Sequence, residues 1–148
     1  MLRTASLISC IFMLSGCSYS YDVKTSMSGG QVLFSANPQW GADCVRHVFV
    51  GAVTAEGIQD AGVMWDRSIS HEDGCENIFP ITYGDPLKGQ PLVYEYGGSK
   101  GQPARSIEPK PLRIGVLYEV HTTTGATGYG CGRFQIDPSS QVQNFACS

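Results

Sequence analysis

The stretch Leu112–Thr123, "LRIGVLYEVHTT", decides the fold class. It is rich in β-branched, aliphatic and aromatic residues and shows no sustained 3.6-residue period. It follows two prolines, Pro109 and Pro111, which favour extended backbone. The Gly-rich run "TGATGYG" (124–130) separates it from a second strand-like run, "GCGRFQI" (130–136). Together the two runs predict a hairpin of two strands joined by a glycine-containing turn.

Working outward, five more runs of the same kind precede it. They are "QVLFSA" (31–36), "VRHVFVGAVT" (45–54), "AGVMWDRSIS" (61–70), "NIFPITYG" (77–84) and "PLVYEY" (91–96). In the second, Val48 and Val50 fall on one face and His47 and Phe49 on the other. In the third, Val63 and Trp65 share a face, and Pro80 marks the fourth as an edge strand or bulge. Turns containing Gly, Pro, Asp or Asn separate them, and no segment carries a helical period with caps at both ends. About seven short strands in a chain of 148 residues predict an all-β antiparallel sandwich, with a small β-barrel as the alternative. The composition agrees: 18 Gly and 8 Pro supply turns, and 42% hydrophobic residues supply a core. A net charge of −3 with no basic cluster argues against a nucleic-acid partner.

Within the opening stretch, Leu112-x-x-Gly115-x-x-Tyr118-x-Val120 resembles the tyrosine-corner segment of fibronectin type III and related immunoglobulin-like sandwiches. The resemblance implies a core leucine at Leu112, a turn glycine at Gly115 and a Tyr118 hydroxyl bonded back to upstream backbone. It covers about the last third of the chain and concerns packing alone. Cys44, Trp65 and Cys75 are too closely spaced for the antibody cysteine–tryptophan–cysteine arrangement.

The N-terminus carries a different signal. "MLRTASLISCIFMLSGC" (1–17) has a positive Arg3, an apolar run over 7–14 and a small-residue step at Ser15–Gly16. That is the plan of a secretory signal peptide, too short to span a bilayer. Leu14-Ser15-Gly16-Cys17 resembles the lipobox of bacterial lipoproteins. The resemblance implies removal of residues 1–16, attachment of diacylglycerol to the Cys17 thiol and acylation of the new amino terminus. It makes the membrane a partner through the lipid. Ser18, where an aspartate would favour inner-membrane retention, points to the outer membrane. Residues 17–30, polar and turn-rich, predict a lipidated flexible tether, which leaves 31–148 as the folded domain.

Setting aside Cys10 and Cys17 leaves Cys44, Cys75, Cys131 and Cys147, an even set that predicts disulfides in an exported domain. Of the three pairings, nearness in sequence favours Cys44–Cys75 and Cys131–Cys147. A competing zinc set combines Cys44-x-x-His47 with His71-x-x-x-Cys75, which an oxidising compartment disfavours. The sequence contains neither a Gly-x-Ser-x-Gly elbow nor a His-Glu-x-x-His motif, so neither a catalytic residue nor a cofactor is expected. Catalysis would require His47, His71 or His121 to meet carboxylates in one cleft. The acidic turn Glu72, Asp73, Glu76 and Asn77 offers oxygen ligands of the calcium type without EF-hand spacing. Among the aromatics Trp40, Trp65, Tyr83, Tyr94, Tyr96 and Tyr129, the alternating Tyr94 and Tyr96 could form a recognition strip for glycan or peptide. The expectation is therefore a non-enzymatic envelope module with a protein or glycan partner, a ligand-binding lipoprotein standing second and a small hydrolase third.

Overall fold

The computed structural model describes residues 18–37, 44–71, 74–95, 97, 99–125 and 127–147, and nine strands lie among these described residues. They are β1 Tyr19–Asp22, β2 Lys24–Ser28, β3 Gln31–Ser35, β4 Val45–Ala52, β5 Val63–Ser68, β6 Ile81–Thr82, β7 Leu117–Thr124, β8 Gly128–Ile136 and β9 Val142–Phe145. Among the described residues the only helical element is a single 3-10 turn at Asp60–Gly62. The strands form two sheets. The larger runs β1-β8-β7-β4-β5, with β9 also paired to β8, and the smaller runs β2-β3-β6. Neither closes on itself, so the alternative of a small barrel is set aside in favour of two facing layers, consistent with a sandwich.

Three expectations are corrected. The larger sheet is mixed rather than antiparallel, because β1 runs parallel to β8 from Tyr19↔Gly128 to Asp22↔Cys131. Residues 19–28 are not a tether but the first two strands. Their polar surface side chains hid a period-two pattern in which Tyr19, Tyr21, Val23 and Thr25 point inward. The described part of the 91–96 run, residues 91–95, is not a regular strand. Its pairing is limited to single bridges at Ile69↔Pro91 and Val93↔Pro103, where each proline lacks the N–H that would extend a ladder.

That irregular arm has a structural task. An edge strand leaves a row of unpaired amide groups. Along β5 those groups meet the 90–110 segment: Leu92 N donates to Ser68 O (3.1 Å), Asp66 and Ile107 exchange two bonds, and Lys110 N donates to Met64 O (2.9 Å). In β5 itself the register shifts opposite Val50 and Gly51. Val63 and Trp65 consequently do not share a packing role: Trp65 and Met64 join the main core, while Val63 is buried outside it.

The core lies between the layers. Val45, Val48, Val50, Tyr118, Val120 and Phe134 of the larger sheet face Val32, Phe34 and Ile81 of the smaller one. Aromatic rings form a chain through it. Trp65 meets Tyr83 (5.5 Å between centroids), Tyr83 meets Phe34 (6.3 Å), Phe34 meets Phe134 (5.7 Å) and Phe134 meets Tyr118 (5.4 Å). Tilted and edge-on contacts of this kind add about 0.5–1.5 kcal/mol each beyond area burial.

Between β1 and β2 the chain crosses from one sheet to the other through a single residue, Val23, whose N–H donates to Cys131 O (2.8 Å). Gly132 makes this possible, since a Cβ there would overlap the Val23 carbonyl oxygen. Beside the crossing, the Asn144 side-chain amide of β9 imitates a strand neighbour for β2. Its Oδ1 accepts from Thr25 N (2.7 Å) and its Nδ2 donates to Thr25 O (2.8 Å).

Candidate functional site

The turn over Leu112–Tyr118 comes first, because it sets the start of β7. The buried Tyr118 hydroxyl accepts the N–H of Arg113 at 2.7 Å. Leu112 packs against the core, and Gly115 takes φ +78, a conformation glycine adopts without a Cβ penalty. The turn is held from β8 as well: Gly115 N donates to Ile136 O (2.9 Å) and Gln135 Nε2 to Gly115 O (2.6 Å).

Four cysteines sit in two pairs, Cys44 with Cys75 and Cys131 with Cys147, with Cα–Cα separations of 5.7 and 6.2 Å. These separations suit disulfides. With both sulfurs of the first pair joined, neither is a thiolate for zinc. His47 instead faces Asp66, and His71 lines a separate groove. Glu119 lies beside Cys131 and Cys147, but those sulfurs are likewise joined and do not form a metal set with it.

Two histidine–carboxylate clusters occupy the face of the larger sheet that points away from the core. Strand alternation puts them there: along β7 the even-numbered residues are buried and Glu119 and His121 face out. His47 Nε2 lies 3.0 Å from Asp66 Oδ1. Glu119 is held from both sides, by His121 Nε2 at 2.5 Å and Arg133 Nε at 2.6 Å. Burial of Glu119 opposes ionisation, but the hydrogen bonds and charges of Arg133 and His121 outweigh it and hold its carboxyl below the usual range. Phe49 stands between the clusters, opposite both Asp66 and His121, with its ring 6.0 Å from the His121 ring.

This face therefore gathers two of the three histidines with carboxylates, and both imidazoles are partly exposed. Among the described residues neither imidazole bonds a serine, threonine or cysteine. The arrangement orients two imidazoles and a guanidinium toward solvent, the kind of surface that recognises a polar partner.

The remaining expectations separate. Asn77 is a structural residue: its amide exchanges two hydrogen bonds with the Lys88 backbone (2.7 and 2.9 Å). Glu76 pairs with Lys88 Nζ at 3.2 Å. Glu72 and Asp73, and likewise Trp40 and Tyr96, lie outside the described residues. Tyr94 is exposed and lines a groove of about 270 Å³ with Ser70, His71, Leu92, Val93 and Glu95. Trp65 is a core residue, and the partly buried Tyr83 packs against the core. The Tyr83 hydroxyl donates to Lys110 O (2.6 Å) and also lies 3.2 Å from Met64 O, and burial pushes its pKa up to about 12.

One feature of this region was not anticipated from sequence. Gly128, Gly130 and Gly132 of β8 lie between β1 and β7, giving the rows Tyr19–Gly128–Thr124 and Tyr21–Gly130–Thr122, then Gly132 beside Val23 and Val120. Each tyrosine crosses over its glycine to reach the threonine beyond it. Tyr19 Oη is 3.3 Å from Thr124 Oγ1, and Tyr21 Oη is 2.9 Å from Thr122 Oγ1. The matched period-two spacing of Tyr19/Tyr21 and Gly128/Gly130 is its sequence signal.

The chain matches no family model, no curated protein and no solved structure. Its functional reading rests on its own residues.

Proposed function

We propose that this chain is a lipid-anchored envelope protein whose β domain acts as a non-enzymatic interaction module. The observation that carries the reading is Leu14-Ser15-Gly16-Cys17 at the end of an apolar run. Cys17 and the residues before it lie outside the described residues. Two disulfide-distance cysteine pairs fit an exported domain. Signal removal before Cys17, acylation there and Ser18 in the next position support residence in the outer membrane. The partner is an envelope protein or glycan, and nothing in the charge pattern favours nucleic acid.

The domain is read as an immunoglobulin-like, fibronectin type III-like sandwich. The Tyr118–Arg113 bond and the turn at Gly115 support that relationship. The parallel β1 is a departure from it. The reading as a non-enzymatic module rests on the sequence, which carries neither a Gly-x-Ser-x-Gly elbow nor a His-Glu-x-x-His motif, and on the two part-exposed imidazoles being bonded to carboxylates.

The test is a Cys17→Ala variant. It is expected to leave the membrane fraction and become soluble in the periplasm or medium. Unchanged fractionation would remove the anchor. A second reading, a ligand-binding lipoprotein, rests on the groove beside Tyr94. Thermal shifts with envelope glycans and peptides check it, since a ligand that binds the folded state raises its stability.

A further inference from the structure

We infer that the end of the domain carrying Tyr19, Ile78 and Tyr129 lies against the surface of the bilayer. The inference rests on the lipid-anchor reading of Cys17 and adds an orientation to it. Only Ser18 separates Cys17 from Tyr19, the first residue of β1. Two residues of fully extended chain reach about 7 Å. Tyr19 is itself fixed, since its N–H donates to Thr127 O (3.1 Å) and it pairs with Gly128. A lipid on Cys17 therefore holds this end of the sandwich at headgroup level.

The residues gathered there suit that position. From Tyr19 the sheet continues through Gly128 and Thr124 to Val45. Gly125 N bonds Cys44 O, and Cys44 bridges to Ile78. Ile78 is 61% exposed and Tyr129 54%, the first and third most exposed large apolar side chains described. An aliphatic side chain and an amphipathic tyrosine match a zone that is apolar on one side and wet on the other. The second most exposed, Ile114 at 56%, lies at the opposite end, next to Gly115 and ahead of Leu117. β7 joins the two ends, and its eight residues span about 23 Å at strand rise.

The two isoleucines make an internal comparison. The lipidated protein is placed in phosphatidylethanolamine–phosphatidylglycerol nanodiscs that include a headgroup-spin-labelled lipid, and the δ1-methyl NMR signals are followed. Ile78 is expected to broaden and Ile114 to stay sharp. Inserting five Gly-Ser pairs between Ser18 and Tyr19 is expected to reduce the difference, and Tyr129→Ser to weaken it. Equal broadening of both methyls, or stronger broadening of Ile114, overturns the inference and makes β1 detachable or the contact a protein one. Intact mass separates the two levels. Absence of lipid on Cys17 overturns the anchor together with this orientation, whereas lipid present with equal broadening overturns the orientation alone.

Discussion

The hydroxyl of Tyr21 lies 2.9 Å from that of Thr122, two strands away, because the intervening residue is Gly130. The tyrosine ring covers the glycine, so β1 is joined to the sheet by side chains as well as by its amide ladder. Burial raises the Tyr21 pKa despite its hydrogen bonds to threonine.

Substituting this glycine row is expected to loosen β1. In Gly130→Ala the new methyl meets the Thr122 hydroxyl and the Tyr21 ring, and in Gly132→Ala it meets the Val23 carbonyl. Overpacking costs about 1–3 kcal/mol, with Gly132 at the upper end because backbone must move. Gly74, where a Cβ would meet nothing within 4 Å, serves as the control and should change stability by less than about 0.5 kcal/mol. Urea unfolding measures all three, and proteolysis within residues 19–22 reports β1 directly.

Tyr118→Phe keeps the ring against Phe134 and removes the acceptor for Arg113 N–H. A net loss of about 1–2 kcal/mol is expected for one buried hydrogen bond left unmade. Hydrogen exchange at Arg113 should quicken while the core amides of β7 change only with global stability. An unchanged Arg113 rate would mean that the corner is held by the Gly115 bonds alone.

Acid sensitivity follows from Glu119. Its folded-state pKa is depressed, so its contribution is complete above the unfolded value, about 4.3 for a glutamate, and is lost as pH falls through the folded value. Tm should therefore fall on acidification below about pH 4. Glu119→Gln should lower Tm at pH 7 and flatten the slope in that window. Exposed Asp137 is also held low, chiefly by Ser139, so the difference between wild type and variant is the quantity to follow. Parallel curves would exclude Glu119 as the group responsible.

The hairpin of β7 and β8, the bond of the Tyr118 hydroxyl to upstream backbone and both cysteine pairings were legible in the sequence, because period-two alternation, short-range spacing and nearness in chain order are local signals. β1, β2 and β9 were not. "SYSYDVKTSMS" looks polar because one face of each strand is solvated and the inward positions include Tyr19, Tyr21 and Thr25, the two tyrosines of β1 lying over distant glycines and threonines. The roles of Asn77 and Asn144 escaped for a similar reason: each imitates a backbone neighbour supplied by another part of the chain. Of the candidate site, the outward alternation of His47 and Phe49 was readable. Their meeting with Asp66, Glu119 and Arg133 required strand order, which short-range pattern does not contain.

The pairing of β1 with β8 also sets an order of events. Tyr19 and Thr124 are 105 residues apart along the chain. Contacts at such separation form late, after the loop-closure cost has been met by other pairings. During synthesis from the N-terminus, the first strand must wait, without its β8 partner, until the hairpin of β7 and β8 has emerged. The protein thus has a long interval in which "YSYD" is an open edge, and its maturation depends on whatever keeps that edge unoccupied until β8 arrives.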